Sequence, residues 1–150
     1  MEIFIETERL ILRHWKEEDR KPFAVMTGNP NVMKYFPSTL STEESSAFVD
    51  RINSEFEETG YGLYAVETKD TGEFIGYVGF HRFTFDAPFS PNWEIGWRIS
   101  DKFWHKGYAT EAATACINYA REKNVQHALF FYCLSQYSFG ECYETNRHEL

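Results

Sequence analysis

The residues best suited to chemistry lie in one stretch, residues 92–113, which reads NWEIGWRISDKFWHKGYATEAA. A strand-like run is followed by a short loop, and the loop leads into a run with helical periodicity. The first amides of a helix lack partners within the helix, and the helix dipole favours negative charge there. Gly107 and the small Ala109 let the backbone approach a ligand, and Lys106 adds a positive charge. The pattern predicts a pyrophosphate-binding turn, although an ordinary strand–helix connection can carry the same short signature.

The same turn resembles a known acyl-CoA motif. Trp104, Gly107 and Ala109 fall on the three fixed places of Q/R-x-x-G-x-G/A, the motif of the GNAT superfamily, with Trp104 departing from the usual first residue. The stretch is similar to W-G-K-G-Y-A-T-E-A of the branch that acetylates N-terminal alanines of ribosomal proteins. In this chain His105 replaces a glycine of that branch.

Two further segments carry the resemblance. ETERLILR at residues 6–13 is similar to the opening strand of the same branch, and EIGWRI at residues 94–99 is similar to the strand before its motif. The resemblance covers roughly residues 3–125, and three segments in the same order are more specific than any one of them.

The resemblance implies an N-acetyltransferase that uses acetyl-CoA as its acyl donor. In the superfamily the strand before the motif splays from its neighbour, and the pantetheine arm inserts between the two. Here the backbone of Trp97, Arg98 and Ile99 would pair with the pantetheine amides, and an N–H there would stabilise the oxyanion. The pyrophosphate would be held by the turn and the helix start, that is by Trp104, His105, Lys106, Gly107, Tyr108, Ala109 and Thr110.

The resemblance also implies direct attack of an amine on a thioester, which a base assists by removing a proton from the amine. Glu94 is the candidate base because it lies among Trp93, Ile95 and Trp97, where desolvation would raise the pKa of a carboxylate. It would act directly or through a water molecule. The alternative is that Glu94 faces solvent or pairs with a cation such as Arg98.

Local patterns predict the elements around this stretch. We expect one strand within residues 3–13, a short helix over residues 16–26 with Asp19 among its acidic first residues, and a longer helix after a Ser41/Glu44 capping box. Strands follow at residues 63–67, 74–83 and 93–99, and a helix with a narrow stripe of small residues follows Gly107. The predicted fold class is α/β (α+β), and the resemblance implies a GNAT-like mixed, mainly antiparallel sheet with helices on both faces.

Composition narrows the class of protein. The 150 residues are 43% hydrophobic and carry a net charge of −8, which suits one globular domain and argues against nucleic acid as a partner. The acidic surface would suit a cationic acceptor such as an amine. The three cysteines are scattered, so no metal site is expected. The N-terminus has no secretion signal and no apolar run is long enough to span a membrane, so we expect a cytoplasmic protein.

The amine acceptor is not encoded in any general pattern. Phe83, Phe85, Phe89 and Trp93 flank a loop and are candidates for the wall of an acceptor pocket, although aromatic residues on strands are more often core. The loops over residues 28–40 and 84–91 would decide whether the acceptor is a protein N-terminus or a small amine. A second class remains open, a non-catalytic acyl-CoA-binding or interaction module on the same fold.

The tail departs from the family. After the helix the family has a strand and then a segment like N-x-R-S-x-N-V-M-x-x-x-G-M, whereas residues 127–150 read HALFFYCLSQYSFGECYETNRHEL. Codons can be chosen for residues 136–149 whose second frame reads N-I-R-S-E-N-V-M-K-Q-I-G-M, which fits the missing segment. We therefore expect an acyltransferase domain over residues 1–126 and an atypical, frame-shifted tail over 127–150. The fold would be incomplete at its C-terminus, and a sheet edge would be open to homodimer formation.

Overall fold

One six-stranded sheet organises the fold, and its strands lie side by side in chain order. The computed structural model describes residues 3–34, 36, 38–82, 93–122 and 129–134, and for residues 82, 93, 94 and 129–134 it describes the backbone. Each neighbouring pair among the first five strands is antiparallel, and the sixth strand is parallel to the fifth. The strands are β1 (Ile3–Glu6), β2 (Leu10–Arg13), β3 (Leu63–Thr68), β4 (Phe74–Arg82), β5 (Trp93–Ile99) and β6 (Leu129–Leu134).

Helices cover both faces of the sheet. They are α1 (Arg20–Thr27), α2 (Thr42–Thr59) and α3 (Tyr108–Glu122). The ring of Tyr77 lies 6.1 Å from that of Phe23 in α1 and 5.8 Å from that of Phe48 in α2. Tyr64 pairs with the residue after Tyr77, so it faces the other side of the sheet, where it contacts Tyr119 of α3. The predicted mixed, mainly antiparallel sheet with helices on both faces is confirmed.

Local signals set both ends of α2. The Ser41 hydroxyl accepts a hydrogen bond from the Glu44 amide (3.1 Å), and the Glu44 carboxylate accepts one from the Ser41 amide (2.9 Å). This reciprocal pair is the capping box expected from the sequence. At the other end Gly60 has a φ of 81° and donates its N–H to the Phe56 carbonyl (2.8 Å). Glycine adopts this left-handed conformation without steric cost, so the helix ends there.

The N-terminal region differs from the prediction in two places. A single strand was expected within residues 3–13, but the chain forms a hairpin of β1 and β2. The turn is held at Thr7, whose amide donates to the Leu10 carbonyl (2.9 Å) and whose hydroxyl accepts from the Leu10 amide (3.0 Å). The expected helix over residues 16–26 starts as a 3-10 turn, Glu17–Asp19, before α1. Asp19 accepts from the Lys16 amide (2.7 Å), which agrees with its predicted place at a helix start.

Asp19 has a second role that the sequence did not indicate. The Arg13 guanidinium is almost fully buried and contacts the Asp19 carboxylate at 2.7 Å and 3.1 Å. It also donates to the Glu67 carboxylate of β3. Removing either carboxylate would leave a buried cation without a full set of partners, which is strongly destabilising in such clusters. The three residues therefore fix α1 to the middle of the sheet.

The C-terminal region also requires a correction. The frame-shift interpretation predicted loss of the strands that follow the helix, but β6 forms and pairs with β5 from Trp93 to Gly96. LFFYCL is aromatic and aliphatic, which favours a strand whatever the wider sequence resembles. The part of the β5 edge that the prediction left open is therefore covered. The boundary at residues 126/127 stays a prediction, and residues 135–150 lie outside the described part of the chain.

Candidate functional site

The predicted turn connects the end of β5 to the start of α3. After β5 the chain forms a short 3-10 turn, Asp101–Phe103, and the Trp104 indole N–H then donates to the Ile99 carbonyl (2.8 Å). His105 and Gly107 both have positive φ, 64° and 80°, so the chain bends sharply before the helix. Glycine accepts this conformation freely, whereas a histidine there is strained. The turn is thus fixed at one end by the Trp104 side chain and shaped by two left-handed residues.

The helix start presents free amides beside this turn. The helix begins at Tyr108, and its first backbone bond joins the Glu111 amide to the Gly107 carbonyl (3.0 Å). His105, Lys106, Gly107 and Thr110 are exposed. The described structure therefore places an exposed, basic turn at the positive end of a helix dipole, an arrangement that binds anions.

Ala109 has a different role from the one expected. Its side chain is buried in the core, together with Ala112, Ala113 and Cys116 of the same helix. Its small size is therefore required by the close packing of α3 on the sheet. The close approach of a ligand to the backbone rests on Gly107 alone.

A polar clamp holds the turn from the side of the N-terminal hairpin. The Glu111 carboxylate accepts hydrogen bonds from the Thr7 hydroxyl (2.5 Å), the Arg9 amide (3.0 Å) and the Arg9 Nε (2.7 Å). Arg9 also donates from Nη1 to the Lys106 carbonyl (2.9 Å) and lies over the Tyr108 ring at 4.6 Å. Burial opposes ionisation of Glu111, but the hydrogen bonds from Thr7 and Arg9 outweigh it and lower the pKa of the carboxyl.

The pairing of β5 with β6 covers only the first part of β5, because the described part of β6 ends at Leu134, opposite Gly96. We call the edge of Trp97–Ile99 on the side of β6 the opening. The β5–β6 pairing includes Trp93, Glu94 and Gly96, and within the described residues none of Trp97–Ile99 pairs with β6. On its other side β5 stays paired with β4 as far as Ile99. A strand edge that no described strand pairs, next to an anion-binding turn, can accept an extended ligand that carries amides and a pyrophosphate.

The backbone N–H and C=O groups of successive residues in β5 point alternately to β4 and to the opening. The Ser100 amide donates to the Ile75 carbonyl (2.8 Å), so it points to β4. Residues two apart in a strand direct their backbone groups the same way, so Arg98 also points to β4. The Arg98 carbonyl also points to β4, because a Cβ placed on Gly76 of β4 would lie 2.1 Å from its oxygen. Trp97 and Ile99 therefore direct their backbone to the opening, and the expected contact of pantetheine with the Arg98 backbone is wrong.

The Arg98 side chain is the feature that sequence reasoning missed. It lies on the α1 and α2 face, where it borders a cavity of about 350 Å³ between α2, residues 33–40 and β5. The sequence indicated that residues 28–40 would affect acceptor choice, but nothing in the pattern showed that Arg98 would face them. A charged residue between Trp97 and Ile99 in a buried strand was the available signal.

The candidate base is placed only through its backbone. Glu94 lies in β5 opposite His81 of β4, and its role as a base stays a prediction. The imidazole of His81 lies 4.0 Å from the Glu55 carboxylate of α2. Phe83, Phe85 and Phe89 lie outside the described residues, as do the side chain of Trp93 and residues 84–91.

Two other findings bear on the class of site. Among the described residues no group of His, Cys, Asp and Glu is arranged to hold a metal ion. Burial raises the pKa of the Cys116 thiol, so this residue is a core side chain and not a nucleophile.

In the described part of the chain no helix is both long and apolar enough to cross a membrane.

Comparison with other sequences points to one family. A family model described as an acetyltransferase (GNAT) domain matches residues 9–136. The uncharacterized N-acetyltransferase YnaD of Bacillus subtilis is 31% identical over 130 residues, which cover 86% of this chain and 72% of YnaD. Across four bacterial relatives that include YnaD, the chain spans between 63% and 72% of the relative's own length.

Solved structures show the same fold. A GNAT-family acetyltransferase from Bacillus anthracis matches with a TM-score of 0.65 at 28% identity, covering 81% of this chain and 68% of that one. RimL, a ribosomal L7/L12 α-N-protein acetyltransferase solved in complex with coenzyme A, matches with a TM-score of 0.64 over 83% of this chain and 70% of that one. At 17% identity this second likeness concerns the fold alone.

Proposed function

The chain belongs to the GNAT acetyltransferase family, a family of N-acetyltransferases, and on that premise we propose that it transfers an acetyl group from acetyl-CoA to a primary amine. One observation carries the proposal. Within the described residues no strand pairs with the β6-side edge of Trp97–Ile99, and this end of β5 leads into the exposed turn before α3, so amide partners and then an anion site would follow one another along the chain. Pantetheine and pyrophosphate occur in that order in CoA.

The turn would hold the pyrophosphate. The first amides of a helix have no partner within the helix, so those at the start of α3 would be available to the pyrophosphate, and the ammonium group of Lys106 would add a charge. His105, Tyr108 and Thr110 frame the same surface. The Thr7–Arg9–Glu111 clamp holds the turn from the hairpin side, where it binds the Lys106 carbonyl and the Glu111 carboxylate. On this side Arg9 Nη2 would lie 3.5 Å from a Cβ at Gly107, so Arg9 would border the pyrophosphate site.

The opening beside β5 would hold the pantetheine arm. The amides of Trp97 and Ile99 and the carbonyl of Trp97 face this opening, whereas the Ile99 carbonyl is already engaged by Trp104. An amide N–H at this edge would also face the thioester oxygen as negative charge develops on it.

The chemistry is a direct transfer. The amine nitrogen attacks the thioester carbon, a base removes a proton from the nitrogen, the C–S bond breaks, and the CoA thiolate takes up a proton. Glu94 on β5 is the proposed base, directly or through a water molecule. The acceptor amine belongs to a protein N-terminus or to a small molecule.

Calorimetric titration with acetyl-CoA, followed by a thiol-release assay over a panel of peptides and small amines, tests the proposal. We expect binding and release of one thiol for each acetylated amine. Binding without turnover on any amine would contradict acetyl transfer and would favour the acyl-CoA-binding module instead. Absence of binding would contradict both.

A further inference from the structure

The cavity beside Arg98 has the chemistry of a binding pocket. It lies between α2, β5 and the segment that contains Met33, Phe36 and Leu40, and most of its wall is apolar. A volume of about 350 Å³ suits a small organic group. Its polar wall includes Glu44, Arg51 and Arg98.

Arg98 is buried without the partners that a buried cation needs. Its side chain is 5% exposed, and within the described residues its Nε and Nη1 have no hydrogen-bond partner. The guanidinium carbon lies 4.0 Å from the centre of the Phe36 ring and 5.4 Å from that of Tyr77, so the aromatic faces partly stabilise the charge. Ring faces do not replace hydrogen-bond acceptors, and leaving a buried donor unsatisfied is unfavourable. Arg98 lines the cavity, so these unpaired donors lie beside it.

The charges around the cavity favour an anion. The Glu44 carboxylate is already bound to the Ser41 amide at the start of α2 (2.9 Å). Arg51 lies over the Phe48 ring at 5.3 Å, on the same helix face, and adds a second positive charge to the wall. Two guanidinium groups and one engaged carboxylate make this pocket locally positive, although the whole chain carries a net charge of −8.

We propose that this cavity binds an anionic group, a carboxylate or a phosphate, of the amine acceptor, with the Arg98 side chain as its donor. The proposal rests on the proposed acetyl transfer and names a substrate class for it: amines that also carry an anion. Arg98 suits this role because its neighbours Trp97 and Ile99 direct their backbone to the cofactor opening, while its own side chain enters the cavity on the α2 face. One strand would thus position both substrates.

Nuclear magnetic resonance of the Arg98 Nε–H tests the proposal without requiring turnover. The signal is assigned by its loss in Arg98→Lys. With CoA bound, the protein is titrated with β-alanine and its amide for the carboxylate arm, and with phosphoethanolamine and ethanolamine for the phosphate arm. We expect the anionic member of one pair to shift the signal and to bind at least tenfold more tightly than its neutral partner. Equal binding within both pairs, or no shift at Arg98, would overturn the proposal.

Variants provide the second measurement. Arg98→Lys should weaken binding of the preferred anion at least tenfold and change binding of the neutral partner less than twofold. Lys69→Gln is the matched control, since it removes one positive charge from a residue that pairs with Glu6, away from the cavity, and should change neither. If Arg98→Lys weakened binding of the anionic ligand and of its neutral partner equally, Arg98 would have only a structural role and the proposal would be overturned. Anion binding at Arg98 without acetylation of any amine would instead contradict the proposed transfer while leaving the anion site in place.

Discussion

Arg9 and Glu111 are 102 residues apart in the chain, yet two groups of Arg9 donate to the Glu111 carboxylate at 2.7 Å and 3.0 Å. The pair joins the first hairpin to the first turn of α3, and the same arginine holds the Lys106 carbonyl of the proposed pyrophosphate turn. The geometry of the turn therefore depends on the N-terminal hairpin as well as on its own glycine.

Glu111→Gln should lower the free energy of unfolding by about 1 kcal/mol at neutral pH. The expected loss is small for hydrogen bonds to a charged group because Arg9 is 43% exposed and solvent screens its charge. The pKa of Glu111 is lowered in the folded state, so the unfolded chain binds more protons between the folded and unfolded pKa values. The stabilisation is present above the unfolded pKa, about 4.3, and is lost as the pH falls through the folded pKa.

Urea denaturation from pH 3 to pH 7 would measure this difference. Glu73→Gln, which removes one exposed carboxylate from the connection between β3 and β4, serves as the control for the loss of one carboxylate. If Glu111→Gln remained less stable by the same amount at all pH values, the ionised clamp would not be the cause.

His105→Gly should stabilise the fold by about 0.5–1 kcal/mol, because a left-handed conformation costs a side chain more than it costs glycine. The φ of 64° at this residue is the reason, and the related branch of the family has glycine there. His105→Ala keeps a Cβ and so keeps the strain. Thermal unfolding of the two variants should rank glycine above alanine, and the reverse order would contradict strain at this position.

Thr110→Glu should weaken CoA binding at least tenfold, or about 1.4 kcal/mol, by placing a carboxylate beside the proposed pyrophosphate site. Thr110 is exposed in the first turn of α3, where a glutamate is compatible with the helix, whereas the buried Ala109 would not accept one. Asn118→Glu adds the same charge two turns further along and should leave the affinity unchanged. Calorimetry on both variants checks this, and equal affinities would show that the pyrophosphate lies elsewhere.

Glu94→Gln should reduce kcat by about 100-fold with little change in CoA affinity, since it removes a proton acceptor and keeps the size of the side chain. Glu73→Gln, at an exposed position just before β4, is a control for the loss of one carboxylate. The pH–rate profile is the decisive measurement: an unchanged profile in Glu94→Gln would remove this residue from the mechanism.

The gene sequence should show where the family pattern stops. The family model matches through residue 136, and β6 forms within that match, so the expected change of frame moves from about residue 127 to about residue 136. The second frame from codon 136 should then encode N-I-R-S-E-N-V-M-K-Q-I-G-M. Sequencing the gene decides it, and any other translation in that frame would rule out the frame shift.

Local signals made much of the fold predictable. The Ser41/Glu44 capping box and Gly60 set the ends of α2, and the strand–turn–helix pattern around Gly107 placed the proposed cofactor turn. Each of these depends on residues within a few positions of one another. The clamp at Glu111 and the surroundings of Arg98 were not predictable, because each brings together distant parts of the chain. The hydrophobic periodicity of one segment does not indicate which distant segment it will contact.

The chain order of the sheet also bears on how the protein is made. Strands β2 to β5 each pair with the strand before in antiparallel fashion, whereas β6 pairs with β5 in parallel after a connection that contains α3. Because β6 follows the other described strands along the chain and pairs with β5 only after α3, we expect this contact to form after the others as the chain leaves the ribosome. Acetyl-CoA would then recognise only molecules that have completed this step, and the cofactor pool of the cell would favour finished chains over nascent ones.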